Sequence, residues 1–107
     1  MATNCVRMAP DAELTDDAIL GGRLKLLPPK RGHRFGHDAI LLAASVPARP
    51  GERVAEFGSG VGAAGFALLA RVPGIAVTMI DIAPQLAALA AENAERNHFS
   101  NQARVIA

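Results

Sequence analysis

Several residue types are scarce in this chain of 107 residues, and their scarcity excludes whole classes of structure. Trp and Tyr are absent, so the chain should barely absorb at the usual aromatic wavelength. Cys5 is the single cysteine, which excludes an internal disulfide and fits a reducing compartment such as the cytoplasm. His33, His37 and His98 show no metal-ligand spacing with Cys5 or with one another, so no metal site is predicted.

Long apolar runs are lacking as well. No stretch is long and uninterrupted enough to span a bilayer, and residues 1–10 lack a cleavage-like pattern, so neither a membrane segment nor a signal peptide is predicted. The formal net charge is +1 and the pI about 8.0, a global balance that identifies no class of partner. The length fits one domain at most, and a hydrophobic fraction of 50% should bury a core.

From residue 53 onward the pattern alternates between strand and helix. Strands are predicted over 53–57, over 75–82 and from 104 onward, with helices over 63–72 and 84–97. This alternation is typical of an α/β fold with a three-stranded parallel sheet and right-handed crossovers. The run at 75–82 is typical of a strand that is buried on both faces.

The preceding part of the chain predicts an N-terminal extension made of a hairpin and a helix. Residues 1–19 are predicted as an irregular segment, with a short turn of helix at 14–20, and residues 20–107 as a partial domain. Gly21-Gly22 indicates a turn before a half-buried strand at 23–27. Asp38 is a plausible N-cap for a helix over 39–46.

A glycine-rich turn separates the strand 53–57 from the following helix. We call its residues, Gly58-Ser59-Gly60-Val61-Gly62, the glycine loop. Glycines permit sharp turns and close approach of a ligand, and the helix start offers free N–H groups. Glu56 and Asp81 both fall at strand ends on the same predicted sheet edge. Asp81 follows the first glycines by about twenty residues, the spacing of a ribose-binding acid in dinucleotide-type folds.

Two ligand classes fit the glycine loop by itself, because the loop also matches the GxGxxG/A pattern of NAD-binding domains. Glu56 separates them. At ~5 Å and an effective dielectric of ~20, its charge would cost roughly 3 kcal/mol against each pyrophosphate charge of NAD. S-adenosylmethionine has no phosphate, and its sulfonium and ammonium suit a carboxylate. We therefore predict S-adenosylmethionine as the cofactor. An NAD-binding oxidoreductase fragment and a non-catalytic interaction module remain the alternatives.

Several blocks of sequence resemble class I S-adenosylmethionine-dependent methyltransferases with a Rossmann-like fold. More narrowly, the chain is similar to the bacterial small-domain methyltransferases that modify adenine N6 of valine tRNA. The matching blocks are Leu20-Gly21-Gly22-Arg23-Leu24, Arg31-Gly32-His33-Arg34-Phe35-Gly36-His37-Asp38-Ala39, Leu41-Leu42-Ala43-Ala44, the turn from Glu56 to Gly65, Asp81-Ile82-Ala83-Pro84, and Glu92-Asn93-Ala94-Glu95-Arg96-Asn97.

The resemblance implies a role for each matching site residue. The glycines and the serine of the glycine loop would lie along the methionine and ribose parts of the cofactor. Glu56 would face its amino end, and Asp81 would hold the ribose hydroxyls. Ile82 would pack on the adenine. Asp38 would approach the methionine part, a role that competes with its reading as a helix N-cap.

The resemblance also implies methyl transfer to adenine N6 of tRNA by the complete enzyme, in the cytoplasm. The family's catalytic segment, Asn-Pro-Pro followed by an aromatic residue, does not occur in these 107 residues. No catalytic residue is therefore assigned, and the chain alone is expected to be inactive.

Two surfaces are predicted to meet partners. The first is a basic segment without interleaved acids, which we interpret as a phosphate-contacting patch for tRNA or, alternatively, as a solvated surface. Its members are Arg23, Lys25, Lys30, Arg31 and Arg34. The second is the edge of the strand 53–57, which the family's strand order implies is free here. An uncovered strand edge recruits another chain, so the isolated chain is expected to form a homo-oligomer, to bind a partner or to be marginally folded.

Overall fold

A three-stranded parallel sheet and a two-stranded antiparallel hairpin form the framework of this α/β protein. The computed structural model describes residues 17–27 and 36–107. The elements follow one another as β1 (Asp17–Ile19), β2 (Leu24–Leu26), α1 (His37–Ser45), β3 (Arg53–Phe57), α2 (Ala63–Arg71), β4 (Ala76–Ile80), α3 (Pro84–Arg96) and β5 (Ala103–Ile106).

The parallel sheet has the strand order β3-β4-β5, so each strand pairs with its neighbour in sequence. Val77 of β4 lies opposite Val54 of β3 and opposite Ala103 of β5. The three predicted strands are all present. β4 is shorter than the predicted range 75–82, because Asp81 and Ile82 already belong to the turn that precedes α3.

The helices α2 and α3 cover one face of this sheet, and the burial of the strands alternates accordingly. Val77 and Met79 are buried, whereas Phe57 is 79% exposed. The prediction that the strand 75–82 is buried on both faces is therefore wrong. Two consecutive right-handed crossovers that advance in one direction place both helices on the same side, so the described helices leave the opposite face open.

The core joins the hairpin to the helix layer. Phe66 of α2 is fully buried and stacks on Phe99, with ring centroids 6.0 Å apart and an interplanar angle of 8°. Leu24 and Leu26 of β2 are also fully buried in this cluster. The alternating strand predicted at 23–27 therefore sends its leucines into the core, while Lys25 points outward.

The structure corrects the prediction of a short turn of helix at 14–20. Residues 17–19 form the strand β1, and residues 14–16 lie outside the described part of the chain. The turn Leu20-Gly21-Gly22 has positive φ angles of 54°, 67° and 86°, and it folds β1 back against β2. Ladder hydrogen bonds then outweigh the weak local preference for helix. The division of the chain at residue 20 otherwise stays a prediction.

One helix-end prediction also needs correction. Asp38 is not the N-cap of α1: the helix begins at His37, Gly36 occupies the N-cap, and no side chain caps this end. Asp38 instead lies in the first turn, where its negative charge suits the helix dipole. At the end of α3, Asn97 is the C-cap with a φ of −104°, and the following His98, with a φ of 62°, has the left-handed conformation.

Candidate cofactor site

The glycine loop lies across the carboxyl end of β4. The backbone N–H groups of Gly58 and Ser59 both donate to the Ile80 carbonyl, at 2.7 and 3.1 Å. Gly58, Gly60 and Gly62 all have positive φ angles, so the loop takes a path that residues with a Cβ rarely adopt. The loop therefore joins the ends of two neighbouring strands, which is where parallel α/β folds bind ligands.

Asp81 holds the middle of the glycine loop. Its Oδ2 accepts a hydrogen bond from the Gly60 N–H at 2.7 Å, and its Oδ1 accepts one from the Ala83 N–H at 2.9 Å. Each carboxylate oxygen has a second lone pair, so both can accept further hydrogen bonds from a ligand. The structure thus brings the predicted ribose-binding acid directly to the glycine loop.

Glu56 points from β3 under the start of α2. A Cβ added at Gly65 would lie 2.8 Å from Glu56 Oε1 and 2.4 Å from Met79 Cε, so a larger residue here would force the ends of these two side chains to move. Burial raises the pKa of the Glu56 carboxyl above its ordinary value of 4.5, and the nearby backbone N–H of Gly65 lowers it in part. Among the described residues, no group makes a hydrogen bond to the buried Oε1.

Ser59 supplies a second buried oxygen in the glycine loop. The residue is 7% exposed, and its Oγ has no hydrogen-bond partner within residues 17–27 and 36–107. Buried polar atoms in folded proteins are normally paired, so two unpaired oxygens at one loop need an explanation. A polar ligand with hydrogen-bond donors provides one.

Ile82 and Phe57 are apolar side chains exposed at the strand ends. Ile82, predicted to pack on adenine, is 95% exposed and follows Asp81 directly. Phe57 precedes the glycine loop and lies on the open face of the sheet, opposite to Glu56. Sequence reasoning did not single out Phe57, although an aromatic residue placed directly before the first glycine is visible in the sequence.

The other predicted site residues do not meet in this cluster. Asp38 is exposed in the first turn of α1, and its approach to the cofactor stays a prediction. Arg23 donates to the Ala70 carbonyl at 3.0 Å, which places it beside the end of α2. Lys25 is exposed on β2, and the remaining members of the basic segment, Lys30, Arg31 and Arg34, lie outside the described residues.

Asn93 is a residue at the site that sequence reasoning missed. It lies on α3 and is fully buried, and its Nδ2 donates to the carbonyl of Val61 in the glycine loop at 3.1 Å. Its position between Ala90 and Ala94 could have identified it from the sequence, because a polar residue in a buried stripe of small residues needs hydrogen-bond partners.

Within residues 17–27 and 36–107, no group of three or more His, Cys, Asp or Glu side chains is arranged to hold a metal ion. No helix in this part of the chain has the length and hydropathy needed to cross a membrane.

Comparison with protein families and curated sequences locates this arrangement among known proteins. The family model described as the methyltransferase small domain matches residues 33–107. The chain is 32% identical over 77 residues to the tRNA1(Val) (adenine(37)-N6)-methyltransferase of Flavobacteriaceae bacterium strain 3519-10. That alignment covers 72% of this chain and 33% of the relative, so the chain spans about a third of the relative's length.

Solved structures give a matching result. The methyltransferase of Thiobacillus denitrificans, solved in complex with S-adenosyl-L-homocysteine, is 26% identical with a TM-score of 0.58, covering 72% of this chain and 31% of its own. aTrm5, solved in complex with tRNALeu, is 21% identical with a TM-score of 0.68, covering 88% of this chain and 27% of its own. The predicted Rossmann-like α/β fold is confirmed.

Proposed function

The chain belongs to the methyltransferase small-domain family, and from this premise we propose that it forms the S-adenosylmethionine-binding part of a methyltransferase. The resemblance seen in the sequence is thereby confirmed at the level of the family. Within this proposal, Glu56, the glycine loop, Asp81 and Ile82 hold the cofactor. When bound, S-adenosylmethionine supplies an electrophilic methyl group on a sulfonium centre.

The unpaired buried oxygen of Glu56 carries this proposal. A half-buried carboxylate with one oxygen left unpaired is costly unless something cationic neutralises it. The ammonium of the methionine moiety has the required charge and N–H donors. The cationic nicotinamide nitrogen of oxidised NAD has no N–H to donate, and the pyrophosphate of NAD would be repelled. The residues present therefore fit S-adenosylmethionine better than NAD.

The other residues supply complementary contacts. Asp81, fixed by the Gly60 and Ala83 N–H groups, has lone pairs left to accept hydrogen bonds from ribose hydroxyls. Ser59 Oγ lies buried and unpaired within the same loop. The exposed Ile82 side chain offers an apolar surface for the adenine ring. The chemistry of each residue thus suits the cofactor group that this proposal assigns to it.

We further propose that the whole protein acts on adenine N6 of a tRNA in the cytoplasm. The support is the relative named tRNA1(Val) (adenine(37)-N6)-methyltransferase and the basic segment of this chain. The cations Arg23, Lys25, Lys30, Arg31 and Arg34 would contact RNA phosphates, whose charge makes such contacts salt-dependent. This chain would contribute cofactor binding and part of the RNA contact.

Calorimetric titration of the 107-residue chain with S-adenosylhomocysteine, S-adenosylmethionine and NAD tests the cofactor proposal. We expect the first two to bind and NAD not to bind. Glu56→Gln should weaken binding of both sulfur ligands, because the neutral amide loses the attraction to the ammonium. Glu92→Gln is the matched control: it removes the same charge from an exposed position on α3.

Tighter binding of NAD than of S-adenosylhomocysteine would overturn the proposal in favour of a dinucleotide-binding protein. Equal losses of affinity in Glu56→Gln and Glu92→Gln would show that net charge, rather than the Glu56 carboxylate, governs binding.

A further inference from the structure

Asn93 connects three parts of the molecule through one buried amide. Its Oδ1 accepts a hydrogen bond from the Leu27 N–H at 2.8 Å, and its Nδ2 donates to the Leu27 carbonyl at 3.3 Å. The same Nδ2 donates to the Val61 carbonyl at 3.1 Å. The side chain of α3 therefore joins the end of β2 to the glycine loop.

Asn97, one helical turn later, repeats the first half of this pattern. Its Oδ1 accepts from the Lys25 N–H at 2.8 Å, and its Nδ2 donates to the Lys25 carbonyl at 2.7 Å. Lys25 and Leu27 are two residues apart, so both lie on the β2 edge that faces away from β1. The side chains of Asn93 in α3 and of Asn97 at its C-cap thus pair with that edge in place of another strand.

The remaining contact distinguishes the two asparagines. Asn97 Nδ2 donates to the Asn93 carbonyl at 2.8 Å, a contact that stays within α3. Asn93 Nδ2 donates to Val61 instead. The other hydrogen bonds described for the glycine loop go to Ile80 and Asp81 at the β4 side, close within the loop, or join the Gly62 carbonyl to the Phe66 N–H of α2. Asn93 therefore restrains the loop from the side of α3 and β2.

We infer that Asn93 is a positioning residue that couples the glycine loop to β2, so that a ligand held by the loop also restrains the β2 edge. The inference rests on the proposed function, because the ligand is the cofactor assigned to that site. A buried amide fully paired in a low-dielectric interior is rigid, so motion of Val61 is transmitted to Leu27. Because coupling between sites is reciprocal, loss of the Asn93 amide should also weaken cofactor binding.

Amide hydrogen exchange of the 107-residue chain, with and without S-adenosylhomocysteine, tests this inference. In the wild-type protein the ligand should slow exchange at Leu27 N–H more than at Lys25 N–H. Asn93→Ala should abolish that slowing and, without ligand, should speed exchange at Gly62 N–H about tenfold, the effect of losing roughly one buried hydrogen bond. Asn97→Ala, the matched control, removes the same group and should leave Gly62 and ligand affinity unchanged.

Three outcomes would overturn the inference. The first is ligand binding without slower exchange at Leu27 in the wild-type protein, a measurement that holds even if Asn93→Ala does not fold. The second is an equal change in the exchange rate of the Gly62 N–H in Asn93→Ala and Asn97→Ala. That result would show that both asparagines only stabilise packing. The third is absence of ligand binding in the wild-type chain, which would overturn the proposed function together with the coupling. The exchange rate of the Gly62 N–H without ligand distinguishes this case, because it tests the contact between Asn93 and the glycine loop independently of binding.

Discussion

At the scale of single residues, Glu56 is under two opposing requirements. Its burial beneath Gly65 raises the pKa of the carboxyl, so ionisation destabilises the folded state. In the proposed function, the same ionised carboxylate pairs with the cationic group of the ligand. A residue whose ionised form lowers stability is typical of a functional site.

We predict that Glu56→Gln stabilises the ligand-free protein at neutral pH. The folded state binds the Glu56 proton more tightly than the unfolded state, so wild-type stability falls as the pH rises above 4.5 through the raised folded pKa. The glutamine variant lacks this loss. Thermal unfolding from pH 4 to pH 8 should show the two proteins converging at the acid end. A constant difference across that range would contradict the prediction.

Asp81→Asn should weaken binding of S-adenosylhomocysteine by about 1–3 kcal/mol, because charge-assisted hydrogen bonds to the ribose hydroxyls become neutral ones. Titration calorimetry measures this directly. Asp38→Asn is the comparison, since Asp38 is exposed on α1. A similar loss of affinity in Asp38→Asn would support the predicted approach of Asp38 to the methionine part of the cofactor. Unchanged affinity would show that Asp38 acts only in the first turn of α1.

At the scale of elements, the start of α2 sits directly on the sheet at Gly65. The glycine is needed for close approach, since an added Cβ would meet Met79 Cε at 2.4 Å and Val77 Cγ1 at 3.4 Å. Helix propensity alone would favour alanine by about 1 kcal/mol. At this position, tertiary packing therefore outweighs the helix propensity that favours alanine.

Gly65→Ala should destabilise the chain by about 1–3 kcal/mol, the usual cost of overpacking, less the gain in helix propensity. It should also weaken ligand binding, because the new methyl group displaces Glu56. Denaturant unfolding and calorimetry measure the two effects. Met79→Leu, which removes the clashing Cε, should recover stability in the double variant. Gly65→Ala with unchanged stability and affinity would show that α2 shifts away at no cost.

At the scale of the whole molecule, the parallel sheet offers an unpaired edge and an open face. Within the described residues β3 pairs with β4 alone, so the other edge of β3 has free backbone groups. The open face carries the exposed Phe57 and Ile106, and α1 adds Leu41 and Leu42, which are 69% and 53% exposed. Apolar surface beside an unpaired strand edge is prone to association.

We predict that the 107-residue polypeptide, studied by itself, forms a homo-oligomer through the β3 edge. Light scattering should give a mass above that of one chain. Phe57→Lys changes a residue on the open face and should shift the measured masses toward the monomer. Ile82→Lys changes an even more exposed residue at the cofactor side and should not shift them. A monodisperse monomer with slow exchange at Val54 and Ala55 would contradict the prediction.

Much of the fold and part of the site could be predicted from local sequence. The period of the apolar residues predicts β3, α2, β4, α3 and β5 within a few residues, because each pattern is repeated along its own segment. Glu56, Asp81 and the glycine loop are recognisable by spacing, because the carboxyl ends of parallel strands meet at one edge. The local chemistry of the turn favours S-adenosylmethionine over NAD before any contact is known.

Contacts between distant segments decided the rest. Residues 17–19 became a strand because the turn at 20–22 brought β2 alongside, and β4 is buried on one face because both described crossover helices lie on the same side. The amide of Asn93 reaches Leu27, 66 residues earlier in the chain, and Val61, 32 residues earlier. No local pattern encodes such partners. A buried polar group is satisfied by whatever the fold places beside it, and only the tertiary structure determines which groups those are.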